Sequence, residues 1–213
     1  TLGAVSVGQI GLFHEIFRPL LFRTVALPAP VHPSGEEEEE CLNRALDLLD
    51  EHGDTLAALI VEPLVQGAAG MKMHSPAFLS ALSERARQHG ALVIADEVAT
   101  GFGRTGTLFA CEQAGLTPDL LCLAKGIAAG YLPLAATVTT ECVYSAFLAA
   151  PDEYKQFFHG HTFTGNPLAT AVALESLRRF ESTQLLEHTR KLAQRLTTGL
   201  QPLKDHPRVR SIR

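Results

Sequence analysis

The chain has 213 residues, 46% of them apolar and 19% charged, enough to bury the core of one domain of ordinary size or most of a larger one, and this excludes collagen-like, disordered and small disulfide-scaffold architectures. Net charge is −5, with five acids gathered in Glu36 to Glu40, which leaves no basic patch to neutralise nucleic-acid phosphates. The four cysteines, Cys41, Cys111, Cys122 and Cys142, form no C-x-x-C pair, and no run approaches the roughly 20 apolar residues of a membrane span, so the sequence fits a reduced, cytoplasmic protein without structural zinc.

The opening, TLGAVSVGQIGLFHEI, has neither an initiator Met nor a basic leader and reads as cut from a longer chain. Residues 1–35, with Pro19, Pro28, Pro30 and Pro33, read as irregular connection holding one strand around Thr24 to Leu27. From Glu36 to about His52, Cys41, Leu42, Ala45, Leu46, Leu48 and Leu49 recur at helical spacing behind a Ser34-Gly35 start. The acids fall in the first turns, where the helix dipole favours them.

A strand and helix rhythm follows. AALIVEP (57–63) is a continuous apolar run, PAFLSALSERARQHG (76–90) an amphipathic helix closed by Gly, and ALVIAD (91–96) again continuously apolar. Next come a short helix near Leu108 to Ala114, strands at DLLCLAK (119–125) and LPLAATVTT (132–140), and helices from Pro167 to about Phe180 and from about Gln184 to Leu200. Alternating elements with continuously apolar strands predict an α/β fold, a mostly parallel sheet covered by helices. Neither an internal repeat nor a Gly/Ser-rich linker divides the chain.

Ligands bind such sheets at the carboxyl ends of the strands. Here those ends carry Glu62, Asp96-Glu97 and Lys125. Lys125 follows a buried apolar strand and precedes small residues, and a partly desolvated lysine has more free amine to attack carbonyls. Asp96 lies 29 residues earlier, the length of one crossover to an adjacent strand. A carboxylate there can hold a pyridinium nitrogen protonated while the lysine forms the Schiff base, the pair of groups that pyridoxal phosphate needs. The bland readings are a lysine snorkelling to solvent and a pair of capping acids.

Two further motifs carry alternatives. GFGRTG (101–106) has the letters of a dinucleotide-binding turn but lies five residues after the strand-end Asp96, and the next acid after it that could meet a ribose, Asp119, comes too early; a glycine-rich active-site loop is the better reading. HGHTFTGNP (159–167) offers His159 and His161, which lack a third metal ligand nearby, and hydroxyls ahead of a helix start, which suit a phosphate. Glu62 in VEPLVQG is either a plain strand-end acid or the holder of an arginine that meets a substrate carboxylate.

VEPLVQGAAGM, ALVIADEVATGFGRTGTLFA, DLLCLAKGIAAGYLPLAA and HGHTFTGNPLA, in this order and spacing, resemble the class III, or subgroup II, pyridoxal-phosphate aminotransferases over nearly the whole chain. Ala99 stands where the ornithine and 4-aminobutyrate members usually carry Gln. The resemblance implies a fold type I PLP-dependent transferase large domain over 1–213. It also implies that the family's amino-terminal segment and carboxy-terminal small domain fall outside this sequence.

The resemblance also implies pyridoxal 5′-phosphate as cofactor, small-molecule substrates and a homodimer with shared active sites. It makes Lys125 the Schiff-base lysine and proton shuttle, and pairs Asp96 with the ring nitrogen. Val98 packs on the ring, His161 and Thr162 meet the phosphate across the dimer interface, and Gly160 lies beside the substrate, with Glu62 and Lys125 on the substrate side. His161 stands where some members have Pro, so its backbone role alone carries over. Another ω-amine specificity within the class, and a catalytically incompetent piece of such an enzyme, remain as alternatives at this stage.

Overall fold

A computed structural model describes residues 2–8, 10–33, 35–209 and 212. The amino-terminal segment holds two short helices, α1 (Leu2–Gly8) and α2 (Gly11–His14), a 3₁₀ helix (Glu15–Leu20) and then coil from Phe22 to Pro30. The strand expected around Thr24 to Leu27 does not form: Pro28 and Pro30 supply no amide donors to a ladder, and the segment is fastened instead by the Thr24 hydroxyl donating to the carbonyl of Ser6 at 3.2 Å.

Helix α3 (Glu36–His52) opens at Gly35, whose φ of 87° is open to glycine, and Ser34 of the expected start lies outside the described residues. Strand β1 (Ala58–Val61) is followed by a small antiparallel pair, β2 (Val65–Gln66) and β3 (Lys72–Met73). Helix α4 (Pro76–Gln88) begins where the Ser75 hydroxyl accepts from the Phe78 amide at 3.1 Å and Pro76 pre-sets φ, and it stops before Gly90, with φ of 74°. Strands β4 (Leu92–Asp96), β5 (Leu120–Leu123) and β6 (Ala136–Thr139) complete the main sheet; the short helix between β4 and β5 is a 3₁₀ turn, Ala110–Ala114. After α5 (Glu141–Ser145) come the long helices α6 (Pro167–Ser182) and α7 (Leu185–Leu200).

The sheet order is β1-β4-β5-β6, with the first three strands parallel and β6 antiparallel at the edge. The core lies between β1/β4 and the pair α3/α4: Ala45, Leu49, Phe78, Leu79, Leu82 and Ala86 pack on Leu59, Val93 and Ala95. Each fully buried Leu or Phe contributes about 1.5–3 kcal/mol there. Asp119 fixes the start of β5. Its carboxylate accepts from the Val93 amide and its own amide donates to the Val93 carbonyl, both at 2.8 Å. The acid that sequence spacing weighed as a ribose ligand is therefore a register pin.

Candidate active site

Register brings the charged residues together. Val61 pairs with Ala95 and Asp96 with Cys122, so Glu62 follows β1 at the height of Asp96, and Lys125 leaves β5 two residues beyond its last paired position. Asp96 is half-buried; its Oδ1 accepts from the Val98 amide at 3.0 Å, and its Oδ2 takes no hydrogen bond among the described residues. The Glu62 Oε2 accepts from the Gly67 amide at 3.0 Å and so closes the turn after β1. Burial pushes the Glu62 carboxyl above its ordinary value against that amide bond, with the Asp96 charge adding to the rise and the Lys125 ammonium opposing it. Burial likewise raises the Cys122 thiol, helped by Asp96.

Lys125 is exposed, not desolvated by this chain as its apolar strand implied. Its backbone supplies what the sequence did not announce. Lys125 has φ of 43°, Ala129 in the same 3₁₀ turn (Lys125–Ala128 and its cap) has 49°, and Phe102 in the glycine-rich loop has 59°. A left-handed non-glycine residue costs on the order of 1–3 kcal/mol, and such residues gather where function over-determines geometry.

The Asp-Glu pair is divided by the alternation of the strand. Asp96 joins the cluster, whereas Glu97 is 0% exposed, its Oε2 accepting from the Thr100 hydroxyl at 2.6 Å and its Oε1 from the Cys111 amide at 2.8 Å. Burial and the Glu97 charge push the Cys111 thiol up to about 12. Sequence spacing gave no sign of this internal strut beyond the period of two. His74, also buried, lies 3.1 Å through Nε2 from the Glu62 carbonyl. It steadies the same turn from beneath.

The other expected residues are placed differently. Val98 is half-buried just past Asp96, and Ala99 sits near Gly67, where a Cβ added at 67 would lie 3.8 Å from the Ala99 methyl. Gly160, His161 and Thr162 are exposed. That segment is a turn held by itself: the His161 amide donates to the Thr164 Oγ1 at 2.9 Å and the Phe163 amide to the His161 Nδ1 at 3.1 Å. No hydrogen bond or ion pair among the described residues joins it to Glu62, Asp96 or Lys125. It leads into α6, where the Asn166 Oδ1 accepts from the amides of Leu168 and Ala169.

An amine, a carboxylate with one oxygen unengaged and an apolar side chain beside it, all at the carboxyl edge of a parallel sheet, fit a pyridine aldehyde: Asp96 for the ring nitrogen, Lys125 for the aldehyde carbon, Val98 for the ring face. Fold and site thus define an α/β domain of the pyridoxal-phosphate transferase kind. The comparisons narrow the class, since the profile of the family described as Aminotransferase class-III matches residues 1–213. The chain belongs to the class III aminotransferases, which are pyridoxal-phosphate dependent.

It is 51% identical, over its whole length, to the adenosylmethionine-8-amino-7-oxononanoate aminotransferase of Nitratidesulfovibrio vulgaris, of which it covers 41%, and 55% identical over 87% of its length to that of Geobacter sulfurreducens, of which it covers 43%. The crystal structure of the Methanocaldococcus jannaschii enzyme of the same name superposes over the whole chain with a TM-score of 0.90 at 39% identity, and the chain covers 48% of it. The chain therefore spans less than half the length of these relatives.

Proposed function

We propose that the full-length protein transfers an amino group to 8-amino-7-oxononanoate, giving 7,8-diaminononanoate in biotin biosynthesis, with pyridoxal 5′-phosphate as cofactor and S-adenosylmethionine or lysine as amino donor. The observation that carries this reading is the Asp96 and Lys125 pair at adjacent strand ends, in a chain about half identical to enzymes of that name.

Bound pyridoxal phosphate supplies an electron sink for the carbon next to the migrating nitrogen. The residues supply the rest. Lys125 Nζ would hold the cofactor at its aldehyde carbon and, as a free amine, would move the proton that the amino transfer shifts. Asp96, oriented by the Val98 amide, keeps the ring nitrogen protonated through its unengaged oxygen. Val98 packs against one ring face. The Thr162 hydroxyl and the His161 backbone would donate to the phosphate of a cofactor held by a second subunit, and Gly160 would leave room beside the substrate, with Glu62 on the substrate side.

That assignment makes the protein a homodimer with shared sites, a reading supported by segment 160–162 being exposed and bonded chiefly to itself among the described residues. A cytoplasmic setting is supported by four free cysteines and by the finding that no helix among the described residues is long and apolar enough to cross a membrane.

The test is a donor panel on the full-length protein with 8-amino-7-oxononanoate, the product identified by mass. Diamine formed with S-adenosylmethionine or lysine supports the reading and names the donor. Turnover of other ω-amines with no diamine from either donor assigns the protein to another specificity of the class.

A further inference from the structure

The glycine-rich loop GFGRTG (101–106) is not used as a phosphate cradle. Its glycine amides are all engaged inside the protein: Gly101 donates to the Glu97 carbonyl at 3.0 Å, Gly103 to Leu108 at 3.2 Å and Gly106 to Gly103 at 3.1 Å. What the glycines permit is close packing. A Cβ at Gly101 would lie 2.9 Å from the Glu97 carbonyl oxygen, and one at Gly103, where φ is 86°, would lie 3.3 Å from the Phe180 ring of α6.

Held this tightly, the loop drives one side chain outward. Phe102, itself at φ of 59°, lies so close to the residue after Lys125 that a Cβ at Gly126 would stand 2.7 Å from its Cδ2 and 2.8 Å from its Cβ. Gly126 is thus glycine for space, since its φ is not among the positive ones. Behind the ring, Phe109 stands edge-on at 5.8 Å. Gln113 Nε2 donates to the Thr105 carbonyl at 2.8 Å and Arg190 of α7 to that of Gly106. α6 packs against the Lys125–Ala128 turn itself.

We infer that Phe102 is a positioning residue for Lys125: the loop is a fixed base from which the ring bears on the Lys125–Gly126 peptide and holds Lys125 in its left-handed backbone conformation. A side chain on a strained but fixed stem meets its target at one angle; a relaxed stem lets Nζ wander, and misplacement by about 1 Å costs on the order of 10²-fold in rate. The inference deepens the proposed function and rests on Lys125 being the cofactor lysine, but the wedge itself is a contact that can be tested without cofactor.

The experiment uses the full-length protein with Phe102→Gly, Gly126→Ala and the double variant, each compared with and without added pyridoxal phosphate. Phe102→Gly removes the ring and at the same time relieves the positive φ at 102, so the fold should survive. In the cofactor-free protein, amide hydrogen exchange at 125–129 should speed up about tenfold or more while exchange in β1 and β4 is unchanged. In the loaded enzyme, kcat should fall about 10–100-fold with KM within about threefold, and the pH midpoint of the lysine-bound cofactor absorbance should move.

Gly126→Ala alone should disturb the same amides. In the Phe102→Gly background it should be nearly silent, because the new methyl enters the space the ring left. Unchanged exchange at 125–129 in Phe102→Gly, or equal damage from Gly126→Ala in both backgrounds, overturns the wedge whatever the enzyme's reaction. Faster exchange and a coupled pair with kcat unchanged show the wedge present and overturn its positioning role. Failure of the function reading is read separately, from a Lys125→Ala enzyme that still turns over.

Discussion

At the carboxyl edge of the sheet, Glu62, Asp96 and Lys125 meet because β1, β4 and β5 are parallel and in fixed register, whereas Gly160, His161 and Thr162 sit on an exposed turn bonded chiefly to itself. Both regions carry residues of the proposed site. In the first, a buried scaffold completes the arrangement within one chain: Glu97 ties β4, the turn after it and the 3₁₀ turn at Cys111 beneath the surface. In the second, the residues are exposed, and the proposed reading has them meet a cofactor phosphate held by another subunit. In that reading the strand ends carry the bond-making chemistry and the exposed turn carries the phosphate.

The sharpest way to break this comparison is at Lys125. Lys125→Ala removes the nucleophile and the proton carrier together while touching no core group, so turnover of the full-length enzyme should fall by at least about 10³-fold with the melting temperature nearly unchanged. Residual turnover within about tenfold of wild type would remove Lys125 from the chemistry.

Glu97 tests whether the edge owes its precision to what lies under it. Glu97→Ala leaves the Cys111 amide and the Thr100 hydroxyl unpaired in a dry interior and opens a cavity, a loss of about 2–4 kcal/mol in unfolding free energy. Glu97→Gln keeps an acceptor for the Cys111 amide, and the Thr100 hydroxyl can turn to accept from the new amide, so it should retain most of that stability. Urea titrations of the two variants giving equal losses would mean that the charge itself, not the pair of hydrogen bonds, supports the turn.

The exposed turn predicts a smaller and more selective effect. Thr162→Val should weaken pyridoxal-phosphate retention on dialysis a few-fold and leave stability alone, where a mere turn-former would do the reverse. If each site takes Lys125 from one subunit and Thr162 from the other, mixing Lys125→Ala with Thr162→Val subunits puts both lesions in one site of the heterodimer and leaves the other intact. Isolated mixed dimers should then keep one site that retains pyridoxal phosphate on dialysis as wild type does. Mixed dimers whose active site loses cofactor as readily as Thr162→Val would place both groups in a single chain.

Legibility from sequence follows the same division. The continuous apolar runs and the helical spacing of 76–90 and of the helix from Pro167 gave elements within a few residues of those observed, because burial and helix period are local instructions. The edge residues were legible too, since parallel strands must end on one side. Segment 22–30 was not, because two prolines outvoted its short apolar run. The left-handed Lys125 and the Phe102 wedge depend on contacts between distant stretches of chain, and the Glu97 strut on a partner, Cys111, that the period of two does not name. GFGRTG offered only a pattern of glycines, whose spacing from β4 and Asp119 told against a dinucleotide loop but gave no sign of the packing that Phe102 makes against Gly126.

The smallest expected effect concerns Glu62, whose carboxyl burial makes costly to ionise. Its folded-state pKa lies above the ordinary carboxylate value that it has when unfolded. Between the two values the native state binds more protons, so stability falls as pH rises through that window and stays lowered above it. Glu62→Gln keeps an oxygen for the Gly67 amide, removes the repulsion with Asp96 and gives up the weaker attraction to Lys125. In the cofactor-free full-length protein, wild type and variant should therefore melt alike where Glu62 is protonated in both states, and the variant should gain a small, growing advantage as pH rises until Glu62 is ionised in the fold. The same variant should turn over more slowly, since the proposed reading puts Glu62 on the substrate side of the site. A stability gap that ignores pH, or one that favours glutamate at neutral pH, would show that the Glu62 carboxylate is an ordinary turn acid and leave Asp96 and Lys125 as the whole of the edge chemistry.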